Sequence, residues 1–163
     1  KKMNFQRNTV QSLSPVIDKD SEILILGTMP GKESLRSKEY YASPNNSFWK
    51  IMKRLFNSNM EFKDYEEKIS CLKKHHIALW DTLQSCERES SLDSNIKEEE
   101  YNDIDDLLSR YPQIKKVIFN GKKAANYYKT RLPSSIAYST SNACAKKVEE
   151  KIQNWSNVLN AKY

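Results

Sequence analysis

The places in this sequence where a ligand would sit are furnished with amides and hydroxyls rather than with strong acids, bases or thiols. Three clusters carry them: Thr28-Met29-Pro30-Gly31, Asn120-Gly121 and Ser139-Thr140-Ser141-Asn142. An amide is too weak a base to remove a proton, but its carbonyl oxygen orients a water and its NH2 donates. Such groups suit a reaction whose leaving group departs almost unaided. Cleavage of an N-glycosidic bond fits, because its transition state resembles an oxocarbenium ion and positioning plus electrostatics supply most of the catalysis. The two histidines, His75 and His76, are adjacent and precede a strand, at the end away from these clusters. Neighbouring residues point opposite ways, so they read as ordinary surface or core residues. Cys71, Cys86 and Cys144 are odd in number, widely spread and without C-x-x-C spacing. That pattern points to reduced thiols rather than a disulfide frame or a zinc or iron–sulfur site. The proposed chemistry requires no metal.

The elements that must position these groups follow from the hydrophobic pattern. Ile23 to Leu26 is an apolar run that reads as a strand buried on both faces. Two of the three glycines, Gly27 and Gly31, follow it at once, so this loop is suited to close approach of backbone to a ligand. Phe48, Ile51, Met52, Leu55 and Phe56 fall on one face of a helix that starts near Ser47. A weaker helix is expected over Tyr65 to Leu72, and a second strand over Ile77 to Leu79, ending in Trp80-Asp81. Residues 84 to 101 read as polar loop. Asn102-Asp103 opens a helix that Pro112 ends. A third strand, Val117 to Phe119, leads to Asn120-Gly121 and a helix over Lys122 to Arg131. A fourth, Ser135 to Tyr138, leads to Ser139, and a last helix carries Val148, Ile152, Trp155 and Leu159 on one stripe.

Strands alternating with helices predict an α/β fold, a three-layer α/β/α arrangement around a four-stranded parallel sheet with right-handed crossovers. The polar clusters after three of the strands then converge on one edge, where ligands of open α/β sheets bind. The chain of 163 residues reads as one domain, 1–163, long enough to bury its own core. Residues 1–21 form an N-terminal arm lying over it. Hydrophobic residues make up 38% and charged residues 29%, outside the disordered regime. A net charge of +6 allows nucleic acid or another anionic surface as partner. No apolar run approaches the ~20 residues of a membrane span, and no signal-peptide pattern is read at the start. The expected location is the cytoplasm.

Taken in order, GTMPGKESLRSKEYYASPNNSFWK, ALWDTLQSCERESSLDSNI, NDIDDLL, VIFNGKKA and STSNA before the Trp-bearing last helix resemble the uracil-DNA glycosylase superfamily. The similarity is greatest to its hypoxanthine-DNA glycosylase (deoxyinosine glycosylase) branch and runs from about Glu22 to Leu159. The resemblance implies a monofunctional glycosylase that releases a deaminated base from DNA, hypoxanthine first and uracil second, to leave an abasic site. It implies no cofactor, DNA as partner and a monomer. Met29 stands where other superfamily members place a water-holding Asn, and the branch moves that task to the Asn before Ser-Phe-Trp, here Asn46. As a residue, Asn46 reads equally as the helix N-cap. Asn120 matches the reader of the base edge, or is a turn residue before Gly121. Tyr41 matches the aromatic that stacks on the extruded base, or is core. Thr28, Met29, Pro30 and Gly31 would present backbone to base or water. Ser139, Thr140, Ser141 and Asn142 match the loop that grips the phosphate backbone and wedges into the minor groove. There the branch has Ser-Thr-Ser-Pro-Ala-Asn and this chain has Ser-Thr-Ser-Asn-Ala-Cys, which puts the wedge in question. Arg88, in a family-like loop with Glu87 and Asp93, binds phosphate or forms an ion pair. Lys122, Lys123, Lys146 and Lys147 engage phosphates or form a solvated face. Asp81 reads as a helix cap, or as a residue that orients a loop or water. Two rivals remain at this stage: a lesion-binding protein without catalysis on the same fold, and a small-nucleotide hydrolase or binder.

Overall fold

The computed structural model describes residues 9–11, 13–88 and 96–162, with side chains from 13 to 84 and from 100 to 162. In chain order the strands are β1 Thr9–Gln11, β2 Ile23–Gly27, β3 Ile77–Asp81, β4 Leu83–Arg88, β5 Ile96–Tyr101, β6 Lys116–Asn120 and β7 Ser134–Ala137. The helices are α1 Lys32–Ser37, α2 Phe48–Phe56, α3 Tyr65–Lys74, α4 Ile104–Arg110, α5 Lys122–Tyr127 and α6 Val148–Leu159.

The four expected strands make one sheet in the order β3-β2-β6-β7, and every pairing in it is parallel. Its centre, β2, is apolar throughout because both of its faces are covered. Ile25 packs with Phe48, Ile51, Met52, Leu72, Ile152 and Trp155 on one side. Leu24 and Leu26 pack with Ile104, Leu107, Phe119 and Ala124 on the other. Helices α2, α3 and α6 thus cover one face, and α4 and α5 the opposite one. Trp155 is fully buried, meets Phe48 edge-on at 6.0 Å and donates its indole N–H to the Tyr138 carbonyl at 2.9 Å. That bond ties α6 to the chain just after β7.

Four segments depart from the sequence reading. Residues 84 to 101, expected to be loop, contribute β4 and β5, which pair antiparallel with β1 on the far side of β4 in a second sheet. Their strand character was hidden because the chain there is polar, without the apolar alternation that marks a half-buried strand. The polar segment after Gly31 folds into the short helix α1, with Ser34 buried. The arm takes part in the fold: Thr9–Gln11 form β1, and Val16 bridges Leu79 through two backbone bonds of 2.9 Å. That bridge covers the β3 edge of the sheet, an edge that would otherwise offer unpaired backbone. Helix α5 stops at Tyr127, before the expected Arg131, because Tyr128 turns extended.

Replacing Trp155 with Ala removes a fully buried ring together with its bond to Tyr138. Urea unfolding is expected to show a loss of about 3–5 kcal/mol.

Candidate active site

The C-terminal ends of β2, β3, β6 and the turn after β7 lie side by side, since Gly27 is in register with Asp81 and Asn120 with Ala137. Gly27 has no substitute here. A Cβ on it would lie 2.7 Å from Asp81 Oδ1 and 3.2 Å from the Tyr41 hydroxyl. The carbonyls of Gly27 and Thr28 accept from the N–H groups of Thr82 (2.9 Å) and Leu83 (3.1 Å), pinning the loop to the β3–β4 turn. Beyond that point Thr28 and Met29 are half-buried, Pro30 is buried and Gly31 is exposed. Among the described residues nothing lies within 4 Å of where a Gly31 Cβ would stand, so their packing does not demand that glycine.

Between α1 and α2 the chain is held tightly. The Tyr40 hydroxyl donates to the Ser14 carbonyl at 2.8 Å, and its carbonyl accepts from the Trp49 indole at 2.8 Å. Its N–H donates to the Tyr65 hydroxyl at 3.0 Å. Ser34 Oγ accepts from Ala42 N at 3.0 Å. Tyr41, between these anchors, sits at φ 55°, a left-handed conformation that a bulky side chain adopts only when its surroundings enforce it. The result turns its ring onto Phe48, with centroids 4.1 Å apart and planes at 20°, and sends its hydroxyl over Gly27. One face of the ring expected to stack on a base is therefore already covered by Phe48.

Asn46 is half-buried at the start of α2, with its Oδ1 accepting from Phe48 N at 3.0 Å. The N-cap of α2 is Ser47 rather than Asn46, but the Asn46 side chain still takes the first helical N–H, and that bond fixes the plane of the amide. Its Nδ2 has no partner among the described residues. Asn120 pairs with Thr140 twice: Nδ2 donates to Thr140 Oγ1 at 3.0 Å and Oδ1 accepts from Thr140 N at 2.9 Å. An amide so paired retains one N–H and one lone pair. The same Thr140, itself buried, accepts at its carbonyl from Ser47 N (2.9 Å) and Ser47 Oγ (3.2 Å). Asn120 and the residue after Asn46 are therefore joined through one threonine. Gly121 makes this possible: it holds φ 95°, and a Cβ there would lie 3.0 Å from the Ser139 Cβ.

The Ser139–Asn142 turn is folded on itself. Ser139 Oγ accepts from Ser141 N, and Ser141 Oγ from Ala143 N, both at 3.2 Å. From below, Lys151 of α6, although a lysine, is buried and donates Nζ to the Ser141 carbonyl at 3.0 Å. Asn142, Lys122, Lys123, Lys146 and Lys147 are exposed around this rim. Arg88 ends β4 and Glu87 lies in the same strand, while Asp93 lies outside the described residues. His75 and His76 bond to the carbonyls of Cys71 and Asp20 at the opposite end of β3 from this edge. No group of three or more His, Cys, Asp or Glu suited to a metal occurs among the described residues.

Asp81 corrects the sequence reading. No helix follows it, so it caps nothing; it closes β3 and is buried. Its Oδ2, the Tyr41 hydroxyl and the neighbouring Thr82 Oγ1 are buried without any hydrogen-bond partner. Burial, with no cation to offset it, pushes the Asp81 carboxyl up to about 7. Burial also raises the Tyr41 hydroxyl, and the Asp81 charge adds to that rise. The adjacent Asn120 amide opposes it, although the hydroxyl makes no aligned hydrogen bond. Two members of the site escaped the sequence reading altogether. Lys151 is hidden inside an amphipathic helix, where a lysine reads as solvated. Ser47 was read only as part of a helix start. Asp81 did leave a signal, an acid closing the apolar run Ile77 to Trp80.

The whole edge is an array of neutral donors and acceptors with one carboxyl set in it. It is equipped to hold a water and a polar planar ligand. Its buried lysine, Lys151, is engaged with the Ser141 carbonyl. Comparison with known proteins agrees with this chemistry. A sequence profile of the Uracil DNA glycosylase superfamily matches residues 14–159. A Hypoxanthine DNA glycosylase of Methanosarcina barkeri is 34% identical over 154 residues, which span 90% of this chain and 95% of that protein. Another, of Methanosarcina acetivorans, is 40% identical over 129 residues, 74% of this chain and 82% of that one. The solution NMR structure of a candidate uracil DNA glycosylase from Methanosarcina acetivorans superposes with a TM-score of 0.81 at 33% identity. It covers 93% of this chain and 96% of its own.

The raised Asp81 carboxyl makes stability depend on pH. Unfolded, the group titrates near 4; folded, near about 7. Between these values the folded state holds the extra proton, so stability is full below about pH 4 and declines as pH rises to about 7. Thermal melts should show this decline in the wild type and a flatter profile in Asp81→Asn, with the variant melting higher than the wild type at about pH 8.

Proposed function

The chain belongs to the uracil DNA glycosylase superfamily, a family of DNA glycosylases, and on that premise we propose that it excises deaminated bases from DNA, hypoxanthine first and uracil second. It is a single-domain, monomeric, monofunctional enzyme of the cytoplasm. No helix among the described residues is long and apolar enough to cross a membrane. What supports the reading is the Asn120 amide, paired with Thr140 on the C-terminal edge of the parallel sheet, with the Thr140 carbonyl holding Ser47, the residue after Asn46.

The target nucleotide leaves the duplex and enters this edge. Asn120, held by Thr140, meets the base with its remaining N–H and lone pair. Hypoxanthine and uracil both present a carbonyl beside a ring N–H, which an amide pairs as donor and acceptor at once. Tyr41 lies against the base, braced from behind by Phe48. Backbone of Thr28, Met29, Pro30 and Gly31 forms the wall of the pocket. Asn46 receives a water at Oδ1, in an amide plane already fixed by the Phe48 N–H, and aims it at the sugar C1′. The bond between C1′ and the base nitrogen breaks, a bond from C1′ to the water oxygen forms, and the proton lost by the water ends on the departing base. An abasic site and free base result. Ser139, Ser141, Asn142, Arg88 and Lys122 take the phosphate backbone, through contacts that position the strand without reading its sequence; Thr140, expected among them, is instead buried and engaged by Asn120 and Ser47, so it holds their turn from inside.

A base-release panel over hypoxanthine, uracil, xanthine and thymine, in paired and unpaired DNA, tests the substrate. Release of hypoxanthine fastest and uracil next is the expected outcome. Persistent binding without release would replace the enzyme by a lesion-binding protein, and turnover of free nucleosides by a nucleotide hydrolase. Asn46→Ala should slow single-turnover release by about 10²-fold, with circular dichroism unchanged apart from the lost bond to the first helical N–H. Full activity in that variant would remove Asn46 from the mechanism.

A further inference from the structure

We propose that Asp81 is a positioning residue of this site: its carboxyl sets which way the Tyr41 hydroxyl donates, so that base excision requires that carboxyl in its neutral form. The inference rests on the glycosylase reading above and adds to it a residue that the amide chemistry does not use.

Tyr41 Oη, Asp81 Oδ2 and Thr82 Oγ1 are buried, unpaired and gathered at one end of β2 and β3. An unpaired buried polar group costs about 1–3 kcal/mol. Three of them in one place are not a packing accident and call for an explanation. Their setting supplies one. Along the sheet edge the polar groups run in a row: Asp81 on β3, the Tyr41 hydroxyl above Gly27 on β2, Asn120 on β6, then Thr140. Gly27 keeps the row open, since a Cβ on it would stand 2.7 Å from Asp81 Oδ1 and 3.2 Å from the Tyr41 oxygen. The strained backbone of Tyr41 is what delivers its hydroxyl to that point.

A phenol has one hydrogen to give. An ionised Asp81 only accepts, so it draws that hydrogen to itself. The N–H that Asn120 has left over, its direction fixed by Thr140, then has the phenol oxygen beside it as an acceptor, and the donors of the row are consumed internally. A neutral Asp81 carries its own hydrogen and gives it to the phenol oxygen. The Tyr41 O–H is then free to point at the base, where negative charge builds as the glycosidic bond breaks. A carboxyl kept neutral by an apolar site serves as a hydrogen-bond donor in the same way. Among the described residues the titratable groups whose charge couples to Asp81 are Tyr41 and Tyr40, both from the segment between α1 and α2. From β2 the neighbour is Gly27, and no cation contributes to the shift. Burial therefore decides, and the carboxyl is neutral below about 7 and ionised above it.

The test is single-turnover release of the preferred base from about pH 5.5 to 9 by the wild type, Asp81→Asn, Tyr41→Phe and the double variant. The wild-type rate should fall about tenfold per pH unit above about 7. Asp81→Asn, which cannot ionise and still donates, should be flat across that range and outrun the wild type at about pH 8.5. Tyr41→Phe should be slower at low pH and lose the fall, and the double variant should match it. A wild-type fall retained in Asp81→Asn overturns the inference. If Asp81→Asn fails to fold, a fall retained in Tyr41→Phe overturns it equally. A wild type that releases no base at any pH overturns the glycosylase reading as well, whereas an active wild type with an unaltered Asp81→Asn profile overturns only this inference.

Discussion

The double hydrogen bond between Asn120 and Thr140, extended from the Thr140 carbonyl to Ser47, is the constraint on which the site depends. It crosses from a central strand to the turn after the edge strand and on to the start of a helix. Without it, the parallel sheet would still form, because its pairing is backbone and its faces are filled by Leu24, Ile25, Leu26, Ile118 and their neighbours. The amides would lose their common frame. Two local oddities serve this crossing. Gly121 adopts a backbone that a side chain would strain, so that Ser139 can pass close by. Lys151 is buried beneath Ser141, where its ammonium holds the turn from inside.

Around that frame, among the described residues, the protein leaves buried polarity unpaired in one region. The buried unpaired side-chain atoms are Tyr41 Oη, Asp81 Oδ2 and Thr82 Oγ1, and Tyr41 is the one aromatic held at positive φ. The core elsewhere is ordinary: aliphatic side chains with Trp49 and Trp155 each satisfied at its indole nitrogen. A fold that could satisfy these groups and does not is a fold shaped for something that arrives from outside.

Much of this was legible in the residues. Ile23 to Leu26 announced a two-sided strand, and the 3.6-residue spacing from Phe48 to Leu55 announced α2, whose predicted inner face is the buried one. The convergence of polar clusters followed from parallel topology alone. The features that stayed hidden are those fixed by contacts distant in sequence. β4 and β5 are polar and owe their strand form to each other and to β1, which no local window contains. Asp81 and Lys151 have residue types that signal exposure, and only tertiary packing buries them. Tyr41 could be named, but its left-handed turn comes from the locking of Tyr40 by Ser14, Trp49 and Tyr65.

The threonine link also has a consequence for the order in which the molecule comes into being. Ser47 and Thr140 are 93 residues apart in the chain. A growing polypeptide can lay down its first helices and strands long before Thr140 exists. Until that residue docks, Ser47 and Asn120 share no frame. The frame of this edge is thus set by a contact that spans 93 residues, and it closes only after the strands and helices between its two ends are in place.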